Sequence, residues 1–402
     1  MNRIVVQKFG GSSVADAEKL RHVAKIITDT YSAGNSVVAV VSAQGDTTDD
    51  LIAKAAEISK SPSKREMDVL LSTGEQISMS LLAMAIEDLG YPVISLTGWQ
   101  VGMQTDATHC FSRIRRVDKE RLESELGKKK IVIVAGFQGI NRYDDITTLG
   151  RGGSDTSAVA IAAALHADLC QIFTDVDGIY TADPRIVPDA KKLDEITYDE
   201  MLELANLGAN VLHSRSVEMA KKYSVKLEVR SSFENKPGTT LKEVVKVERM
   251  LIRGVTRDNN TARISLVEVP DVPGIAFKIF SILAKKNINV DIILQSIGRN
   301  NTKDISFTVS SDQKDEAIES LREVADLFKA RDITCDDSVA KVSIVGAGIE
   351  THPGIAAKMF EALADADINI KMISSSEIKI SVLIDRDKAD KAVRVIHEAF
   401  DF

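Results

Sequence analysis

Cysteine is scarce in this chain: three in 402 residues, Cys110, Cys170 and Cys335, set far apart. That excludes a disulfide framework and a thiolate zinc cluster, and it points to a reducing, cytoplasmic setting. Each cysteine reads as a small buried apolar residue. The six histidines are scattered without metal-ligand spacing, so no protein-borne metal set is expected. No apolar run approaches the roughly 20 residues of a membrane span. The chain opens directly on a strand-like run, so no signal peptide is expected. A basic excess is missing too: the formal charge is −8, which argues against general nucleic-acid binding. The common nucleotide motifs are also absent. Neither Gly-x-x-x-x-Gly-Lys-Ser/Thr nor Gly-x-Gly-x-x-Gly occurs.

What is present is an ordinary globular composition, 44% apolar and 27% charged, in a chain too long for one core. Single cores stop growing near about 250–300 residues, so two or more domains are expected. Up to about residue 235, apolar strand-like runs alternate with helical patterns. The strands are placed at 4–6, 37–41, 93–96, 131–135, 169–173 and 227–229, and the helices near 16–30, 48–58, 66–89, 156–166, 198–205 and 216–222. Alternating βα units imply α/β architecture, a mostly parallel sheet sandwiched by helices. Ligands then bind beyond the carboxyl ends of the strands, where several runs here end in small polar residues.

The pattern breaks near Asn235-Lys236-Pro237-Gly238-Thr239, and the charged stretch 242–249 reads as a linker or short connecting helix. The remainder repeats itself. Pro273-Gly274-Ile275-Ala276 through Phe280 aligns with Pro353-Gly354-Ile355-Ala356 through Phe360, and Ile288-Asn289-Val290 with Ile368-Asn369-Ile370, at one constant offset. Each unit reads as a small α+β module of βαββαβ form, a kind that pairs sheets side by side. The repeat alone fits a dimerisation module and a regulatory ligand site equally well. The expected domains are 1–249, 250–340 and 341–402.

Four polar clusters interrupt the first region. Lys8-Phe9-Gly10-Gly11-Ser12-Ser13 follows a strand and precedes a helix. Glycine lets backbone N–H groups approach an oxyanion closely, a helix start adds a positive dipole end, and Lys8 adds a full charge. A glycine turn beside a surface lysine is the plainer alternative. Gly150-Arg151-Gly152-Gly153-Ser154-Asp155 enters an alanine-rich helix that Ser154 or Asp155 can cap. Arg151 there offers a planar fork for a carboxylate or phosphate. Thr174-Asp175-Val176-Asp177-Gly178-Ile179-Tyr180 through Arg185 sets acids, a tyrosine and an arginine after a buried strand. Its acids can orient Mg²⁺ through water, its tyrosine can lie on a purine and its arginine can reach phosphates; an acidic surface turn is the bland reading. Ser42 through Asp49, with Thr48 at a helix start, and Ser72-Thr73-Gly74-Glu75 can hold a small polar substrate.

Together these motifs resemble the aspartokinase family of the amino-acid kinase superfamily, over almost the whole chain, and the repeats resemble paired ACT modules. The resemblance implies the amino-acid kinase fold and transfer of the γ-phosphoryl of ATP, with Mg²⁺, to the side-chain carboxylate of L-aspartate. It implies feedback regulation in the synthesis of lysine, threonine and methionine. By the same resemblance Lys8, with the amides of Gly10 and Gly11, contacts the transferred phosphoryl, and Asp155 organises Lys8 and Mg²⁺. Glu75 pairs with the substrate ammonium and Arg151 grips its carboxylate. Ser42, Thr48, Phe137, Gly152, Gly153 and Ser154 complete the substrate contacts. Phe9, Thr174, Asp175, Tyr180 and Arg185 belong to the nucleotide set. The lysine that some members carry before Val211-Leu212-His213 is replaced by Asn210. In the repeats, Asp271, Pro273, Gly274, Ile275 and Ala276 match one effector loop, Asn289, Val290, Asp291 and Gln295 its facing segment, and Asn369, Ile370, Ser375 and Glu377 the equivalent in the second module. Lysine and threonine are the family's usual effectors. A homo-oligomer through the ACT modules, and a separate ACT-only subunit, are further implications. A kinase for another amino acid, or a non-catalytic amino-acid sensor on the same scaffold, remain alternatives.

Overall fold

The computed structural model describes residues 3–209, 211–244, 252–296, 298 and 301–402. Asn210 and most of the expected linker lie outside them. The chain divides into two compact units: Met1–Ile179, Lys192–Ala205 and Asn210–Lys246 form the first, and Tyr180–Lys191, Asn206–Ala209 and Val247–Phe402 the second.

The first unit runs β1 (Ile4–Phe9), α1 (Ala17–Ser32), β2 (Ser36–Val41), α2 (Thr47–Ile58), α3 (Lys64–Asp88), β3 (Val93–Leu96), β4 (Met103–Thr105), β5 (Ile114–Val117), α4 (Glu120–Gly127), β6 (Ile131–Ala135), β7 (Gln138–Ile140), β8 (Ile146–Thr148), α5 (Gly153–Ala164) and β9 (Leu169–Thr174). Its eight-stranded sheet has the spatial order Glu195–Thr197, Thr239–Lys242, Leu227–Ser231, β9, β1, β2, β6, β3. All neighbours are parallel except Leu227–Ser231 against Thr239–Lys242. Residues 37–41 and 131–135 are buried without alternation, as strands covered on both faces require. The expected strands all form; those at 93–96 and 131–135 keep their expected bounds, and the other four run longer by a residue or more where polar residues continue the ladder. The short sheet β5-β4-β7-β8 was not expected, because three- and four-residue strands carry too little periodicity to register.

Helix α3 is long and apolar enough to cross a membrane by length and composition, against the expectation that no such stretch exists. Half of it is buried within the fold, and Asp68 and Glu75 lie on that buried side. Its start is capped by Ser63, which accepts from the Glu66 N–H at 3.3 Å; Asp16 does the same for α1 through Lys19 at 2.9 Å.

The second unit holds two four-stranded antiparallel sheets. One is ordered Ile293–Gln295, Thr302–Val309, Ala262–Pro270, Asp332–Asp336, the other Gly254–Asp258, Val339–Val345, Lys379–Asp385, Met372–Ser375. Strand pairing therefore cuts across the contiguous ranges 250–340 and 341–402: Gly254–Asp258 completes the sheet of the second repeat. The repeat is visible in the backbone, since Gly274 and Gly354 start equivalent helices at φ +89° and +97°, a conformation open to glycine. Ala182, Ile186 and Val187 sit in the core beside Val255, Ile344 and Ile396. Thr181 Oγ1 lies 2.9 Å from His397 Nε2 there.

Candidate active site

The carboxyl ends of β1, β2, β6 and β9 lie side by side, so Gly10, Ser42, Gly136 and Thr174 share one edge of the sheet. Backbone bonds hold that edge: Gly10 N–H donates to Phe173 O at 3.3 Å, Ser42 N–H to Phe9 O at 3.1 Å and Gly136 N–H to Val41 O at 3.0 Å. Phe9 stacks on Phe173 with ring centroids 4.7 Å apart, which anchors the two strands beneath the glycine loop. Gly11 is required by space. A Cβ there would lie 2.7 Å from Ala43 O.

Lys8 and Asp155 meet on this edge, Nζ to Oδ1 at 2.7 Å, both nearly buried. Asp155 reaches Lys8 from the first turn of α5. The expectation that Ser154 or Asp155 caps this helix is corrected. Gly152, at φ +69°, is the N-cap and no side chain caps it. The glycine start places Ser154 and Asp155 inside the helix and leaves its first N–H groups without a side-chain partner. Close packing explains the glycines. A Cβ on Gly152 would meet the His213 ring at 2.3 Å, and one on Gly153 the Phe137 ring at 2.8 Å. Phe137 itself sits at φ +67°, strained for a bulky residue. Its N–H donates to Ser157 Oγ at 3.1 Å.

Glu75 lies on the buried side of α3, 3% exposed. Its Oε1 accepts from the Ala43 N–H at 3.1 Å, while Oε2 is buried without a hydrogen-bond partner among the described residues. Gly74 makes this approach possible, since a Cβ there would press on the Ala43 Cβ at 2.8 Å. Burial pushes the Glu75 carboxyl up to about 8, against the smaller opposing effect of backbone N–H donation. A buried carboxyl with one oxygen unmet suits a cationic ligand group, whose charge would draw the proton off.

Ser42, Thr48 and Gly152 are half-buried and Ser154 is buried, while Arg151 is exposed. Thr174 Oγ1 donates to Asp175 Oδ1 at 3.0 Å, and Thr174 O accepts from Ser232. Tyr180 and Arg185 fall in the second unit. Arg185 there forks onto Asp183, with Nη2–Oδ2 at 2.7 Å, and that guanidinium holds the Asp183 carboxyl below its ordinary value. Among the described residues no group of three or more His, Cys, Asp or Glu side chains converges as metal ligands would.

In the second unit, Asp271 pairs with Lys303 at 2.9 Å and Asp291 with the buried Lys341. Ile275 is a core residue and Val290 packs on that core; Ile370 packs on the other module's core. Asn289, Gln295, Asn369, Ser375 and Glu377 are exposed, and Ala276 is half-buried.

Sequence reasoning passed over Asp68, His109, His213, Arg215 and Ser232. Asp68 had a readable signal. It stands seven residues before Glu75 in an apolar helix, a spacing that puts both acids on one face. The others come from distant segments and had none.

Comparisons with known proteins agree with this architecture. The family model of the amino acid kinase family matches residues 3–231, and that of the ACT domain matches residues 264–324 and 342–400. The chain is 51% identical over 403 residues to an aspartokinase of Mycolicibacterium smegmatis, covering 99% of this chain and 96% of that one. The structure of E. coli aspartokinase III in complex with aspartate and ADP superposes with a TM-score of 0.85 at 26% identity, covering 99% of this chain and all of that one. The same enzyme in complex with lysine and aspartate gives 0.76 at 26% identity, with 99% of each chain covered. With this fold, this site and these relatives, the chain belongs to the aspartokinases of the amino acid kinase family.

Proposed function

We propose that this site transfers the γ-phosphoryl of ATP to the side-chain carboxylate of L-aspartate, giving 4-phospho-L-aspartate. The observation that carries the reading is Glu75, a buried carboxyl with one unmet oxygen beside the Lys8–Asp155 pair's strand edge. It supplies a seat for the substrate ammonium. The acceptor carboxylate is already ionised at neutral pH, so no general base is required. Catalysis rests on holding two anions together and on neutralising charge that spreads over the phosphoryl oxygens.

Lys8, with the amide of Gly11, faces the transferred phosphoryl, and Asp155 aims Lys8; the Gly10 amide, expected beside them, is instead spent on Phe173 O. Arg151 grips the α-carboxylate of the amino acid. Ser42, Thr48, Phe137, Gly152, Gly153 and Ser154 complete the pocket. Phe9, Thr174 and Asp175 serve the nucleotide. The hard oxygen donors of Asp155 and Asp175 fit Mg²⁺, a cation that keeps most of its water, and it would neutralise phosphate charge there. The ACT modules sense an end-product amino acid, lysine or threonine. The lysine complex of the E. coli relative supports that choice. Asp271, Gly274, Ile275 and Ala276 form one effector loop, and Asn289, Val290, Asp291 and Gln295 its facing segment. Asn369, Ile370, Ser375 and Glu377 do the same in the second module. The test is aspartate-dependent ADP release, with hydroxylamine trapping the acyl phosphate. Turnover on glutamate and none on aspartate would refute the substrate.

A further inference from the structure

Arg151 is exposed, and a long flexible arm aimed at a carboxylate must be ordered by something other than its own packing. Of the three residues before it, Leu149 donates its N–H to Phe137 O at 2.9 Å, and Thr148 and Gly150 meet one short segment, 109–112, between β4 and β5. Asp68, fully buried on α3, is the hub. Its Oδ1 accepts from Thr148 Oγ1 at 2.5 Å. Its two oxygens accept from the Cys110 N–H at 3.0 and 3.1 Å. His109 Nδ1 lies 2.7 Å from Oδ2, at hydrogen-bond distance.

The segment then grips the arm's base directly. Ser112 donates to Thr148 O through both its N–H and its Oγ, each at 2.9 Å. Arg215 forks across the two strands of chain, donating to Leu149 O at 2.7 Å and to Ser112 O at 3.1 Å. The Phe111 ring covers Gly150, where a Cβ would lie 2.7 Å from its Cδ1. Cys110 pays for this path with a left-handed φ of 69°, a conformation that persists only where surroundings impose it.

We propose that His109 is a positioning residue for Arg151. By docking on Asp68 it clamps segment 109–112 onto Thr148, Leu149 and Gly150 and so sets the aim of the guanidinium at the carboxylate of the acceptor amino acid. This rests on Arg151 being the carboxylate arm, as proposed above. His109 touches no reacting atom in this scheme; its effect is on substrate capture alone.

The test uses the full-length enzyme with His109→Ala, His109→Asn and Arg151→Ala, alone and with His109→Ala added to Arg151→Ala. Asparagine keeps an N–H donor near the Nδ1 position, whereas glutamine moves it outward, and His109→Gln replaces the alanine variant if that one is insoluble. His109→Ala should raise KM for aspartate about tenfold while kcat and KM for ATP change less than about twofold. His109→Asn should return KM for aspartate to within about threefold of the parent. In the Arg151→Ala background the histidine change should add nothing, because the arm it aims is gone. An unchanged KM in His109→Ala, an equal rise in the Arg151→Ala background, or a matching rise in KM for ATP each overturns the clamp. An Arg151→Ala enzyme with the parental KM for aspartate would instead sink the assignment of Arg151, and the clamp with it.

Discussion

Replacing Glu75 by glutamine separates binding from stability in opposite directions. With a folded value of about 8, Glu75 is mostly protonated at pH 7, yet the reading requires it ionised against the substrate ammonium. Ionising it first costs about 1.4 kcal/mol at pH 7, roughly a tenfold loss of apparent affinity. kcat/KM for aspartate in the parent enzyme should therefore climb about tenfold between pH 7 and pH 8.5 and then level. Losing one member of a buried charge pair costs about 2–5 kcal/mol. After that ionisation cost, Glu75→Gln should raise KM for aspartate by about threefold to a few hundredfold at pH 7, and flatten the climb. kcat should suffer less, because the ammonium is bound alike in ground and transition states. Stability moves the other way. A carboxyl whose folded value is raised stabilises fully below its unfolded value and loses that contribution as pH rises through the folded one. Relative to an unfolded value of 4.5, the unliganded protein gives up about 3 kcal/mol by pH 7. Glutamine never has to ionise, so the variant should melt several degrees higher at pH 8 and gain little at pH 4.5. Initial rates across pH and thermal unfolding at both pH values measure this. A variant with the parental KM and the parental pH profile would refute the role of Glu75.

Lys8→Ala should lower kcat about a hundred- to a thousandfold with KM for ATP less affected, since its charge acts mostly in the transition state; steady-state kinetics on both substrates decide it. Gly11→Ala should lower kcat/KM for ATP, because its Cβ meets the Ala43 carbonyl at 2.7 Å and the loop must shift; a parental value would show that the loop does not cradle the nucleotide. A chain cut after Val244 should be poorly soluble and cleave readily within 180–191. Ala182, Ile186 and Val187 lose the core they share with Val255, Ile344 and Ile396, and limited proteolysis reads it. Calorimetry with lysine and threonine, singly and together, should show binding that Asp271→Ala weakens, and no heat with either would refute the effector choice.

Elements with strong periodicity were legible in the chain itself. The apolar strands 37–41 and 131–135, the glycine runs at 10–11 and 150–153, and the offset repeat of Pro-Gly-Ile-Ala each announce a local structure through local chemistry. So did the run from Lys8 to Gly11, because a tight glycine turn beside a lysine is built from neighbours in sequence. Other features depend on residues far apart in the chain. Lys8 and Asp155 are 147 positions apart and become a pair only because β1 lies beside α5. Glu75 is an ordinary helical glutamate until burial against Ala43 leaves one oxygen unmet. The hub at Asp68 gathers Thr148, His109 and Cys110, and Gly254–Asp258 joins a sheet whose other strands lie some 80 residues and more downstream. Short-range pattern is written in side-chain spacing, but burial, charge pairing and strand partnership arise only when distant segments share space, and those decide what each polar group can do.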